Sequence, residues 1–164
     1  MMFRIMNIFD RMSGIGKARA HCDIPCGIYD PNPSIIAAVS VVRLMDLLEE
    51  ASSEDAVALA NVRSRNIARK EDEAEKLKHE IRIIWGDYFK GPLLEKYPGV
   101  HALVHQIMQK ASACKQDTHR DDALELVNLV NEFAELFWTT KGVKFARGKC
   151  PYPPNIDVVY PILS

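Results

Sequence analysis

Within six residues, from His21 to Cys26, the chain carries an imidazole, two thiols and a carboxylate. The full run is His21-Cys22-Asp23-Ile24-Pro25-Cys26-Gly27-Ile28-Tyr29-Asp30-Pro31. Pro25, Gly27 and Pro31 keep it out of a helix and make it a loop that can fold back on itself. Two cysteines at this spacing suit two kinds of chemistry. They can close a disulfide, although so short a step makes a small, strained ring. They can also act as a pair of metal ligands, as in structural zinc sites, where two to four residues between cysteines is usual. Zinc would need two further ligands from afar. His79, His101, His105, His119, Cys114 and Cys150 are available, and none forms a second paired motif. Spacing alone therefore leaves metal binding beside an inert or disulfide-closed loop.

The residues before His21 change what that donor set can be. Residues 1–20 carry Arg4, Arg11, Lys17 and Arg19 against Asp10, and end in Ala18-Arg19-Ala20. Small residues flanking a basic one, after a basic segment, read as a removable leader. No uninterrupted apolar region of the kind a secretory signal needs is present, so an organellar transit peptide is the alternative. Cleavage after Ala20 would make His21 the first residue and free its α-amine, with a pKa of about 8. An amine, an imidazole, a backbone amide and two thiolates would then lie together.

The elements that must position this loop read as helices. No Gly or Pro occurs from Ser34 to Trp85 or from Val100 to Lys141. Both residues are costly inside helices, so such stretches, rich in Ala, Leu, Glu and Lys, are expected to be helical. Few β-branched residues alternate with period two, and no sheet is expected. A first helix spans about Ser34 to Glu50, with a wide apolar surface suited to deep burial. Ser52 and Ser53, followed by Glu54 and Asp55, break it and cap a second helix that runs to about Phe89. Its charged middle, Arg63 to Glu80, reads as a solvated face, with Arg69→Glu73 and Glu75→His79 at pairing distance. Gly91-Pro92 ends it, and Pro98 suits the first turn of a third helix with a stripe at Val100, Leu103, Val104, Ile107 and Met108. Thr118 and Asp121 resemble a capping box for a fourth helix carrying Leu124, Val127, Val130, Phe133, Ala134, Phe137 and Trp138. Trp85, Phe89, Phe137 and Trp138 are expected in the core. The fold class is all-α, an antiparallel up-and-down four-helix bundle with an N-terminal hook. The domain plan is a leader at 1–20, hook and bundle at 21–141, and an irregular tail at 142–164, which holds four of the nine prolines.

Composition narrows the function classes without choosing one. At 164 residues, 48% hydrophobic and 26% charged, the chain is sized for one globular domain. A net charge of −1 offers no general attraction to nucleic acid or anionic membrane. The longest apolar stretch, Ser34 to Val42, is broken by Ser40 and stopped by Arg43, far short of the about 20 residues of a membrane span. Removing the four basic and one acidic side chains of the leader from a net charge of −1 leaves −4 on the remaining 144 residues.

The hook sequence, preceded by a removable leader, resembles the nickel hook of the nickel superoxide dismutase family. Trp85-Gly86-Asp87-Tyr88-Phe89-Lys90 resembles that family's Trp-x-Asp-Tyr-Phe-Lys-Pro segment, and Tyr97-Pro98 and Phe137-Trp138 also fit. The resemblance runs from about Ala20 to Lys141. It implies one nickel per subunit, held by the α-amine and imidazole of His21, the thiolate and backbone amide of Cys22, and the thiolate of Cys26. Asp23 and Pro25 would shape the hook. Tyr29 and Tyr88 would stand beside the open face, ordering water and limiting access. Two nitrogens and two sulfurs in a plane suit Ni(II), and strong donation from thiolates and an anionic amide makes Ni(III) reachable. Restricted access would protect thiolates that superoxide and peroxide otherwise oxidise. Lys90 is the candidate for steering the anionic substrate.

The same resemblance implies superoxide as substrate, a homohexamer of four-helix bundles and a leader-processing peptidase. It also implies a cytoplasmic location, with an organelle as the alternative that the basic leader suggests. Where some members hold the axial imidazole with a Glu and an Arg, this chain has Ala37 and Glu73; Arg65 and Glu75 are nearby candidates. Cys114 and Cys150 match no ligand position. A nickel-binding or nickel-trafficking protein without turnover, and a zinc-structured helical adaptor, are the rival readings.

Overall fold

The computed structural model of the protein describes residues 27–163. Four long helices form the body: α1 (Asn32–Glu50), α2 (Ala56–Ile83), α4 (Val100–Gln116) and α5 (Arg120–Lys141), with a short α3 (Pro92–Lys96) between α2 and α4. α1 packs on α2, α2 on α4, α4 on α5 and α5 back on α1. Sequential neighbours joined by short connections give the expected antiparallel bundle. No helix among the described residues is long and apolar enough to cross a membrane.

The helix ends follow local chemistry. α1 starts two residues before the expected Ser34, because Pro33 is tolerated in a first turn and Asp30 Oδ1 accepts the Asn32 N–H at 2.8 Å. Its wide apolar face is buried at Ala37, Ala38, Val41, Val42 and Met45. Asp55 caps α2 by accepting from the N–H groups of Val57 and Ala58, and Ser53 Oγ accepts from Asp55 N–H. The expected Thr118–Asp121 capping box does not form. The cap of α5 falls on His119 without a side-chain bond, and the Asp117 carboxylate takes the Thr118 N–H instead. Pro98 likewise stands just outside α4, immediately before its cap Gly99.

The charged middle of α2 is not wholly solvated. Lys70 is only 1% exposed, and its ammonium donates to the carbonyls of Cys114, Lys115 and Asp117, at 2.6, 3.2 and 2.5 Å. It thereby satisfies carbonyls that α4 leaves open at its C-terminus. Burial lowers its pKa. Glu75 pairs with Arg82 and, across to α4, with Lys115. Asp46 on α1 meets Arg120 on α5 at 2.6 Å.

The tail is not irregular, and a sheet is present. β1 (Phe145–Lys149) and β2 (Asp157–Pro161) form an antiparallel hairpin with Phe145 opposite Pro161 and Lys149 opposite Asp157. Val158 and Val159 are buried, and buried Asn131 of α5 pairs with β2 as another strand would. Its amide donates to Asp157 O at 2.9 Å and accepts from Val159 N–H at 3.0 Å. Cys150 is buried at the hairpin and its thiol donates to the Tyr152 carbonyl.

Candidate metal centre

The proposed donors His21, Cys22 and Cys26, with Asp23 and Pro25, lie outside the described residues. The description begins at Gly27, and Tyr29 is the first residue of the motif seen packed on the bundle core. Its ring meets that of Tyr88 at 5.7 Å between centroids, tilted by 50°. The two tyrosines singled out from the sequence, 59 positions apart, are thus neighbours.

Tyr88 gets there through an irregularity. The α-helical ladder of α2 widens into a π-turn over Ile84–Tyr88, closed by Phe89 N–H to the Ile84 carbonyl at 3.3 Å. From this turn Trp85 reaches α4 and Tyr88 reaches α5. The Trp85 indole N–H donates to His101 Nδ1 at 3.0 Å, so the neutral imidazole there carries its hydrogen on Nε2. Trp85 and Trp138 are half-buried rather than core, while Phe89 and Phe137 are fully buried as expected. The Tyr88 ring lies 5.0 Å from Phe137 and 5.2 Å from Phe89, and its hydroxyl is 2.7 Å from Thr140 Oγ1.

The cation over the Tyr88 ring is Lys141, with Nζ 4.5 Å from the centroid. Lys90, the steering candidate, is exposed and follows Phe89 into the Gly91 turn. Thr140 and Lys141 carry no sequence signal of their own beyond standing after the Phe137-Trp138 pair. Gly142, with φ of +67°, ends α5 in a left-handed cap that fixes this corner.

The remaining cysteines offer no second centre. Cys114 is buried, and burial pushes its thiol pKa up to about 11. Among the described residues no group of three or more His, Cys, Asp or Glu side chains converges as a metal site would require. No such cluster among the described residues competes with the imidazole and thiols expected as donors at residues 21–26. Thiolate sulfur with nitrogen donors suits nickel rather than the hard, oxygen-seeking cations. Ser34 Oγ, buried in the first turn of α1, has no partner among the described residues.

Comparison with known proteins places the chain in a family. The sequence profile of nickel-containing superoxide dismutase matches residues 16–141. The chain belongs to the nickel-containing superoxide dismutase family. It is 35% identical over 125 residues to the superoxide dismutase [Ni] of Streptomyces seoulensis, covering 76% of this chain and 91% of that protein. The corresponding Streptomyces coelicolor protein is 35% identical over 122 residues, covering 74% of this chain and 88% of that one. A native nickel superoxide dismutase structure aligns with a TM-score of 0.65 at 35% identity, over 74% of this chain and 99% of that one. Another, with nickel ligation corresponding to the oxidised state, aligns at a TM-score of 0.66 and 34% identity, over the same shares. The β hairpin, from Phe145 onward, lies beyond the matched residues.

The two positions that the resemblance singles out are accounted for within the bundle. Ala37 is wholly buried in the bundle and offers no polar group. Glu73 is 5% exposed and paired with Arg69 one turn away at 2.5 Å. Arg65 is exposed, and Glu75 is spent on Arg82 and Lys115.

The contact between the tyrosines is testable without metal. Tyr29→Ala should lower the unfolding free energy by about 2 kcal/mol, through lost apolar burial and the lost ring pair. Tyr29→Phe, which keeps the ring, should cost at most about 1 kcal/mol. Denaturant titration reads both, and equal losses would show that the ring does not anchor the loop.

Proposed function

We propose that this protein is a superoxide dismutase that converts two superoxide ions and two protons to dioxygen and hydrogen peroxide at a nickel held by its processed N-terminus. The observation that carries this reading is the hook sequence in front of an anchored Tyr29–Tyr88 pair, in a chain of the nickel superoxide dismutase family. Bound nickel supplies the one-electron chemistry, alternating between Ni(II) and Ni(III). The protein's part is to hold it with the α-amine and imidazole of His21, the thiolate and amide of Cys22 and the thiolate of Cys26. Asp23 and Pro25 shape the loop that brings these groups together. Glu73, buried and paired with the exposed Arg69, offers the charged group closest in kind to those that orient the imidazole in some members.

The chain's other residues manage access and charge. Tyr29 and Tyr88 form an aromatic wall that limits approach to the hook, which spares the thiolates from oxidation by peroxide. The body without residues 1–20 has a net charge of −4, so attraction of superoxide has to be local. Lys141 over Tyr88, with the exposed Lys90, supplies that local charge. We further propose a homohexamer in the cytoplasm, matured by a peptidase that cuts after Ala20. Exposed Val57, Val62, Ile67 and Ile36 along the α1–α2 pair fit burial between subunits.

Two tests separate this from its rivals. Cys22→Ser should abolish both nickel uptake and superoxide consumption in the processed protein, with helix content unchanged. Wild-type protein that holds nickel but consumes no superoxide would make the chain a nickel carrier, and stoichiometric zinc in place of nickel would make it an adaptor. Lys141→Met should lower the rate about threefold at low ionic strength and flatten its salt dependence. An unchanged salt slope would remove Lys141 from steering.

A further inference from the structure

The hydrogen bond between Tyr88 and Thr140 has a direction, and the surrounding geometry decides it. Thr140 has one hydroxyl hydrogen and sits in the last turn of α5. Its Oγ1 lies 2.6 Å from the carbonyl oxygen of Phe137, which can only accept. Two oxygens at that distance with no hydrogen between them would repel, so Thr140 donates to Phe137. Thr140 Oγ1 then meets Tyr88 Oη at 2.7 Å with only lone pairs to offer. The hydrogen of that second bond must come from Tyr88.

We propose that Thr140 is a positioning residue that commits Tyr88 to be a hydrogen-bond acceptor at the nickel site. With its one hydrogen spent on Thr140, the Tyr88 hydroxyl faces everything else with lone pairs. It can take a hydrogen bond from water or from hydrogen peroxide, and it gives none to an anion. Superoxide is therefore not held at Tyr88, while the protonated product and the water that carries protons are bound there. This favours passage of the substrate anion to the metal over its capture on the wall.

The ring cannot swing away to escape this constraint. Phe137 and Phe89 pack against it at 5.0 and 5.2 Å, Tyr29 meets it at 5.7 Å, and Lys141 Nζ stands 4.5 Å over its face. The left-handed Gly142 cap, with Val143 N–H reaching the Trp138 carbonyl at 3.0 Å, fixes the turn that carries Thr140 and Lys141. The proposal rests on the reading of Tyr88 as a wall of the nickel site, and its test keeps the two apart.

The donor or acceptor state of a phenol is read from the tyrosine doublet in ultraviolet resonance Raman spectra. On metal-free protein, the wild type minus Tyr88→Phe difference isolates Tyr88 and should report a donor. Thr140→Val keeps the β-branched shape and removes the acceptor, so the signature should change, and Thr140→Ser should restore it. In the nickel-loaded protein, Thr140→Val frees the Tyr88 hydrogen for anions. Azide, used as the probe, should then inhibit about tenfold more tightly, and the gain should vanish in the Thr140→Val, Tyr88→Phe double variant. A Tyr88 signature and an azide affinity both unchanged in Thr140→Val would overturn the proposal. If Tyr88→Phe alters turnover in that case, the tyrosine wall stands and only Thr140 is wrong. If it alters nothing, the wall fails with it.

Discussion

The contact between Tyr29 and Tyr88 is the constraint on which the rest of the arrangement depends. Tyr29 stands three positions after Cys26, so this contact fixes the end of the donor loop to the bundle. From Tyr88 the rings continue inward to Phe137, and through Phe89 to Phe133, with Trp138 packed on Phe137 at the edge. Tyr29 is thereby anchored to buried side chains of the core rather than to a surface. A metal site whose supporting contacts are loose loses its geometry. The aromatic chain supplies rigidity from the core outward.

That core is itself held by polar groups that are fully spent. Lys70 closes the C-terminus of α4 from the neighbouring helix, and Asn131 joins α5 to β2 through both ends of its amide. Each leaves buried polar atoms paired, the condition under which burial of such groups is tolerated. The helical ladder of α2 gives way at the π-turn. It sends Tyr88 toward α5 and Trp85 toward α4 from one stretch of chain. Irregular helix at this point serves placement, as π-turns often do at functional sites.

Much of this was legible before any coordinates. The gaps in Gly and Pro delimit the long helices to within a few residues, and Gly91-Pro92 marks the end of α2 and its π-turn, because both signals act locally. The donor loop is visible from residue types alone, but its metal became specific only by resemblance. The hairpin escaped because Val158 and Val159 are both buried, one after the other, which breaks the period-two alternation expected of a strand. Lys70 reads as one more charge in a charged run, since its burial depends on where α4 ends, 44 positions away. Thr140 is silent in sequence, because its role comes from the direction of one hydrogen bond to a residue 52 positions distant.

The proposed function turns on a nickel ligand, the α-amine of His21, that is a peptide amide until the chain is cut before His21. The most direct test is nickel content and superoxide consumption of protein that begins at His21, beside the same protein with residues 1–20 attached. The His21 form should bind one nickel per chain and consume superoxide, and the longer form should do neither. A longer form that loads nickel and turns over superoxide as well as the cut one would contradict the claim.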